Sequence, residues 1–220
     1  VPTSVDLPQA PEVTDDVIVE TGATDESPLR IAVVSDAQFV ARDPNSGGVR
    51  GAREAFREVL AEAPDLLIIN GDFVDEASPA DFELAKQIIA EELGDFPYIY
   101  VPGNHEIMGG DIQNFIDAFG TTNGYMDVDG TRLIWVNSAP GGISHDFAQL
   151  QMLKNALEDA KTNDEVTGVL VFQHHPVDDP LPTKASQLSN RLDAEMLRDW
   201  IEDFRETGKP IANIAAGVGI

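Results

Sequence analysis

The six residues Val101-Pro102-Gly103-Asn104-His105-Glu106 constrain this chain more than any other stretch. The preceding run Tyr98-Ile99-Tyr100-Val101 is apolar and aromatic, as in a buried strand, and Pro102-Gly103 ends it in a sharp turn. Three consecutive residues of that turn then offer an amide oxygen, an imidazole titrating near neutrality and a carboxylate. Turns favour Asn for backbone reasons alone. The turn gains meaning only because other strand ends in this chain carry side chains of the same kind.

Arg30-Ile31-Ala32-Val33-Val34 reads as a buried strand that stops at Ser35-Asp36-Ala37-Gln38. After the loop Asn45-Ser46-Gly47-Gly48, apolar residues at Ala52, Ala55, Phe56, Val59 and Leu60 mark one face of a helix. A second buried strand, Leu66 to Ile69, ends at Asn70-Gly71-Asp72-Phe73-Val74-Asp75. Two strands joined by a helix make a right-handed βαβ unit, so Asp36 and Asp72 emerge at one edge of a parallel sheet.

Ser78-Pro79 predicts a helix start, with a core face of Phe82, Ala85, Ile88 and Ile89, leading to the strand at Tyr98. A short helix follows around Phe115. A hairpin turning at Asp129-Gly130 then shifts the fold toward a mixed sheet. The helix carrying Leu150, Leu153 and Leu157 leads into the strand Gly168 to Phe172, which ends at Gln173-His174-His175-Pro176. His145 lies in the loop 139–146 and reads as a surface residue. A final helix carries Leu197, Ile201 and Phe204, and an apolar stretch runs from Pro210 to Ile220. Residues 1–28, with four prolines and one short run Val17-Ile18-Val19, read as a linker or edge strand, leaving 29–220 as the folded domain.

Composition bounds the partners. Asp and Glu number 39 against 14 Lys and Arg, a formal charge of −25. That field repels phosphate polymers and anionic membranes, which argues against nucleic-acid binding over a broad face. It suits an extracellular, cell-surface or high-salt setting. No apolar run approaches the roughly 18 residues of a membrane span. There is no cysteine, so any metal must be held by oxygen and imidazole. Two carboxylates at one sheet edge repel each other unless a cation lies between them. Oxygen and imidazole donors suit Mn²⁺, Fe or Zn²⁺. Two such ions, roughly 3.5 to 4 Å apart, turn a bridging water into a nucleophile near neutral pH and clamp phosphoryl oxygens.

In these blocks the sequence resembles the calcineurin-like metallophosphoesterase superfamily. The family pattern is Asp-x-His, Gly-Asp-x-x-Asp, Gly-Asn-His-Glu/Asp, a His after an apolar strand, and a closing Gly-His-x-His. Gly71-Asp72-Phe73-Val74-Asp75 and Gly103-Asn104-His105-Glu106 match in full, and Phe172-Gln173-His174-His175-Pro176 matches the fourth block. The resemblance is strongest to secreted bacterial members that sit beside other domains. It implies a sandwich of mixed β-sheets flanked by helices, with the metal site at strand C-terminal ends and a phosphate ester as substrate. It further implies that Asp36 and Gln38 hold one metal, that Asp72 bridges, and that Asn104 and His174 hold the second. His105 would protonate the leaving oxygen or stabilise charge on phosphorus, Asp75 and Glu106 would orient their neighbours, and His175 would either face the substrate or simply pack.

Two departures follow. Gln38 stands where the family most often has His, and no His follows His175, the chain reading Ala215-Ala216-Gly217-Val218-Gly219-Ile220 at its end. Either the closing block lies beyond residue 220, so that the domain as read is C-terminally incomplete, or Gly217 takes the His position and the site is degraded. The competing expectation is therefore a binding or scaffold domain of a larger extracellular protein, which keeps the fold without the chemistry.

Overall fold

Strand and helix alternate in two successive runs, each of which builds its own sheet, in the computed structural model, which describes residues 28–216. The first run is β1 (Ile31–Val34), α1 (Gly47–Ala61), β2 (Leu66–Asn70), α2 (Pro79–Glu92), β3 (Tyr98–Val101), a 3₁₀ turn (His105–Ile107) and α3 (Gln113–Phe119). Its three strands are parallel in the order β1-β2-β3, with Ile68 opposite both Val33 and Ile99. The second run is β4 (Gly124–Val128), β5 (Thr131–Trp135), α4 (Phe147–Thr162), β6 (Gly168–Gln173), α5 (Arg191–Arg205) and β7 (Ile211–Ala215). Here β4 pairs antiparallel with β5 while β5, β6 and β7 run parallel. The expected mixed-sheet sandwich flanked by helices is what forms. The linker reading of residues 1–28 falls, apart from Pro28, outside the described residues.

The periodicity of the strands explains the layering. In β2 every residue is buried, because Leu66 and Ile68 face the second sheet while Leu67 and Ile69 face the helices. Between the sheets Leu66, Ile68, Ile99 and Val101 pack against Leu133, Trp135 and Phe172. Outside the first sheet lies an aromatic cluster of Phe56, Phe73, Phe82 and Phe115, and outside the second a cluster with Leu153, Leu157, Leu197 and Phe204. Each such side chain contributes about 1.5–3 kcal/mol by leaving water. The hairpin turns at Asp129 and Gly130 with φ of 47° and 76°, the left-handed pair that a two-residue connection needs. One expectation is corrected: β1 is not fully buried, with Val33 41% exposed, and among the described residues it stands at the sheet's edge with β2 as its one partner.

The start of α2 ties the strand-end loops to this frame. Ser78 and Asp81 form a reciprocal cap, and Asp81 Oδ1 also accepts Ala41 N–H at 2.6 Å from the loop after β1. Ser78→Ala should cost about 1 kcal/mol of stability. Asp81→Ala should cost about 1–3 kcal/mol more, since it also strands the Ala41 donor. Urea denaturation distinguishes the two; equal losses would show that the tie to Ala41 contributes nothing.

Candidate metal centre

The loops after β1 and β2 are laced together before any side chain is considered. Asp36 N–H donates to Gly71 O at 3.1 Å, Gln38 N–H to Asp72 O at 3.0 Å, and Asp75 N–H to Phe39 O at 3.0 Å. To make this lacing Asp36, Gln38 and Asp72 take left-handed backbone, with φ of 59°, 45° and 52°. Such angles are uncommon for residues with a Cβ and concentrate where a site constrains its backbone. Close approach does the rest. A Cβ on Gly71 would sit 2.7 Å from His174 Cγ, and one on Gly103 would sit 2.7 Å from Asp72 N and 2.9 Å from His174 Cγ.

Glu106, fully buried, fixes the turn after β3 against the loop after β2. Its Oε2 accepts Asp72 N–H at 2.7 Å and Gly103 N–H at 2.6 Å. Its Oε1 accepts Phe73 N–H at 2.9 Å, Val74 N–H at 3.3 Å and Tyr100 O–H at 2.7 Å. Burial and then the Asp72 charge push this carboxyl up from its ordinary range, while the bonds from Tyr100, Gly103 and Asp72 pull it back down. Sequence reading expected Glu106 to orient a neighbour. It does so through backbone N–H groups of two loops, that of Asp72 among them, and through the Tyr100 hydroxyl.

Within this frame Asp36, Asp72 and His174 each offer a ligand atom, all within 4.8 Å of one another. His174 comes from the second sheet, and its Nδ1 lies 2.9 Å from the Asn70 carbonyl, which fixes Nδ1 as the protonated nitrogen and leaves Nε2 3.2 Å from Asp72 Oδ2. Burial pushes the His174 imidazole down, but the Asp72 carboxylate outweighs it and raises its pKa. Burial likewise pushes the Asp72 carboxyl up, and the bonds and charge of His174, with the His105 N–H, outweigh it and lower its pKa. Two carboxylates and a correctly turned imidazole are a donor set that fits a divalent cation.

The remaining candidates surround this cluster. Gln38 is exposed, with its side-chain amide nitrogen 3.4 Å from Asp72 Oδ2. Asn104 opens the 3₁₀ turn and makes no side-chain cap bond there. His105 donates its backbone N–H to Asp72 Oδ1 at 2.9 Å, and its ring Nδ1 is held between the Asp75 carbonyl at 2.9 Å and Asp75 Oδ1 at 3.0 Å. That leaves His105 Nε2 3.9 Å from Asp72 Oδ2. His175 packs its ring at right angles to His174, 5.1 Å between centroids, and burial with the His174 charge lowers its pKa to about 4. His145 stands apart with Nδ1 on the Gly142 carbonyl. Gly217 lies outside the described residues; Ala216 N–H donates to His174 O, so β7 leads to this rim. Tyr100, Asn70 and Ser138 escaped the sequence reading, although Tyr100 and Asn70 sit in strands already marked by a donor; Ser138 follows β5, which carries no such mark.

Residues 29–208 match the calcineurin-like phosphoesterase family. The chain belongs to that family. Among relatives of this chain is the glycerophosphodiester phosphodiesterase GpdQ of Enterobacter lignolyticus, 28% identical over 183 residues, which are 73% of this chain and 60% of that protein. A Synechococcus protein assigned as a cyclic nucleotide phosphodiesterase is 35% identical over 95 residues, 40% of this chain and 36% of its own. The chain thus spans less than two thirds of either relative. In fold it is similar to a dimetal phosphatase from Danio rerio, with a TM-score of 0.65 at 13% identity over 86% of this chain and 81% of that one. A purple acid phosphatase from yellow lupin seeds gives 0.59 at 13% identity, covering 80% and 36%.

Gly103→Ala should leave a folded protein that no longer takes up Mn²⁺, because the added methyl displaces Asp72 and His174; retained Mn²⁺ binding by calorimetry would contradict this packing. The coupled shifts also set a pH window. The lowered Asp72 pKa stabilises the metal-free protein above about pH 4 and is lost as pH falls, whereas the raised His174 pKa stabilises it below about pH 6.5 and is lost as pH rises through the folded value. Loading a cation must remove the His174 proton. The rise in melting temperature on adding Mn²⁺ should therefore be larger at about pH 8 than at about pH 6. Equal rises would show that His174 gives up no proton.

Proposed function

We propose that this domain hydrolyses a phosphomonoester or phosphodiester with the help of two divalent ions, and that a diester is the better substrate. The observation that carries the reading is the convergence of Asp36, Asp72 and His174 ligand atoms within 4.8 Å. The phosphodiesterase names of the two relatives favour the diester. Asp36 and Gln38 would hold one ion, Asn104 and His174 the other, and Asp72 would lie between them. When bound, such ions supply an acidified water and neutralise phosphoryl charge.

The protein's own groups do the rest. Glu106 and Tyr100 hold the turn rigid, so that donors are placed before substrate arrives. Asp75 holds His105 by Nδ1, which turns Nε2 toward the Asp72 side of the site. From there a protonated Nε2 would deliver its proton to the departing ester oxygen. His175, whose lowered pKa keeps it neutral at working pH, would bind the substrate without adding charge.

Release of nitrophenol from bis(4-nitrophenyl) phosphate and from 4-nitrophenyl phosphate should depend on Mn²⁺ and be faster for the diester. Asp72→Ala should abolish it. His105→Ala should lower kcat about 10²- to 10⁴-fold while metal content stays the same. Equal rates in the parent and Asp72→Ala proteins would overturn the reading. A second reading, a scaffold that keeps the fold alone, is favoured by Gln38, whose amide nitrogen rather than oxygen faces Asp72. Absence of bound metal after incubation with Mn²⁺ would decide for it.

A further inference from the structure

The adjacent imidazoles of His174 and His175 are held by groups of opposite hydrogen-bonding character. The Nδ1 of His174 faces a carbonyl, Asn70 O, which can only accept. The Nδ1 of His175 faces Ser138 Oγ at 3.2 Å, and the same oxygen accepts the His175 backbone N–H at 3.0 Å. Ser138 is fully buried, and its hydroxyl has no other hydrogen-bond partner among the described residues. A buried hydroxyl hydrogen needs an acceptor, and only the lone pair of His175 Nδ1 provides one. The proton of the neutral His175 ring is then on Nε2.

We infer that Ser138 is a positioning residue that locks His175 as the Nε2–H tautomer, so that the two neighbouring histidines have opposite duties. His174 presents a bare Nε2 to a cation, and His175 presents an N–H to an anionic oxygen of the substrate. A ring so locked cannot ligate a metal through Nε2, which keeps His175 out of the ion site although it is the very next residue. The substrate half of this inference rests on the phosphoesterase reading above; the tautomer half does not.

Long-range ¹H–¹⁵N correlation spectra of the protein labelled at its four histidines test the assignment directly, with His175→Asn identifying the relevant signal. The parent should show a protonated Nε2 and a bare Nδ1 at His175. Ser138→Ala should move the ring toward a tautomer mixture, and Ser138→Thr, which keeps the hydroxyl, should restore it. With bis(4-nitrophenyl) phosphate, Ser138→Ala should raise KM about tenfold, as for loss of one oriented hydrogen bond, with a smaller change in kcat and unchanged metal content. A parent Nδ1–H tautomer, or a Ser138→Ala spectrum identical to the parent's, overturns the lock. An unchanged KM in a variant whose tautomer has shifted overturns the substrate role. A protein that fails to hydrolyse either ester leaves the spectra to decide the lock, so the two readings fail separately.

Discussion

A single buried carboxylate holds this site in shape. Glu106 receives four backbone N–H groups and one phenol, drawn from the loop after β2, the turn after β3 and the strand β3 itself. Each donor would otherwise be a buried polar group without a partner, at about 1–3 kcal/mol apiece. Collecting them on one side chain makes the loops mutually dependent: Asp72 cannot shift without straining Gly103, and the reverse. The acid that looks like a member of the metal-binding motif is therefore its keystone, spent on backbone N–H groups and one phenol.

Charge is managed by the same economy. Asp36 and Asp72 stand together, and Asp72 beside Glu106, in a protein already carrying −25, so the rim needs compensation even before a cation arrives. His174 supplies part of it, its raised pKa and the lowered pKa of Asp72 being two views of one contact. The arrangement is a holding state. A divalent ion replaces the His174 proton with a larger charge at the same spot, which keeps the donors converged whether or not the ion is present.

Much of this was legible from the residues. Apolar runs of four or five residues closing on Asp, Asn or His located β1, β2, β3 and β6, and Ser78-Pro79 located the start of α2. The parallel order put Asp36 and Asp72 on one edge. What escaped the sequence was the set of long-range polar contacts. Nothing local says that Tyr100 points its hydroxyl at Glu106, that the Asn70 carbonyl fixes the His174 tautomer, or that Ser138 grips His175 from 37 residues away. The exposure of Val33 escaped too, because an edge strand and a central one carry the same apolar run.

The two sheets are built from consecutive halves of the chain, and the donors divide the same way: Asp36, Asp72, Asn104 and His105 belong to the first half, His174 and His175 to the second. During synthesis the first half therefore leaves the ribosome with its carboxylates but without their imidazole partner. The donor set proposed for the second ion, which includes His174, is complete only once β6 has docked, about seventy residues later. Occupancy of that second position would then be a mark of a finished molecule.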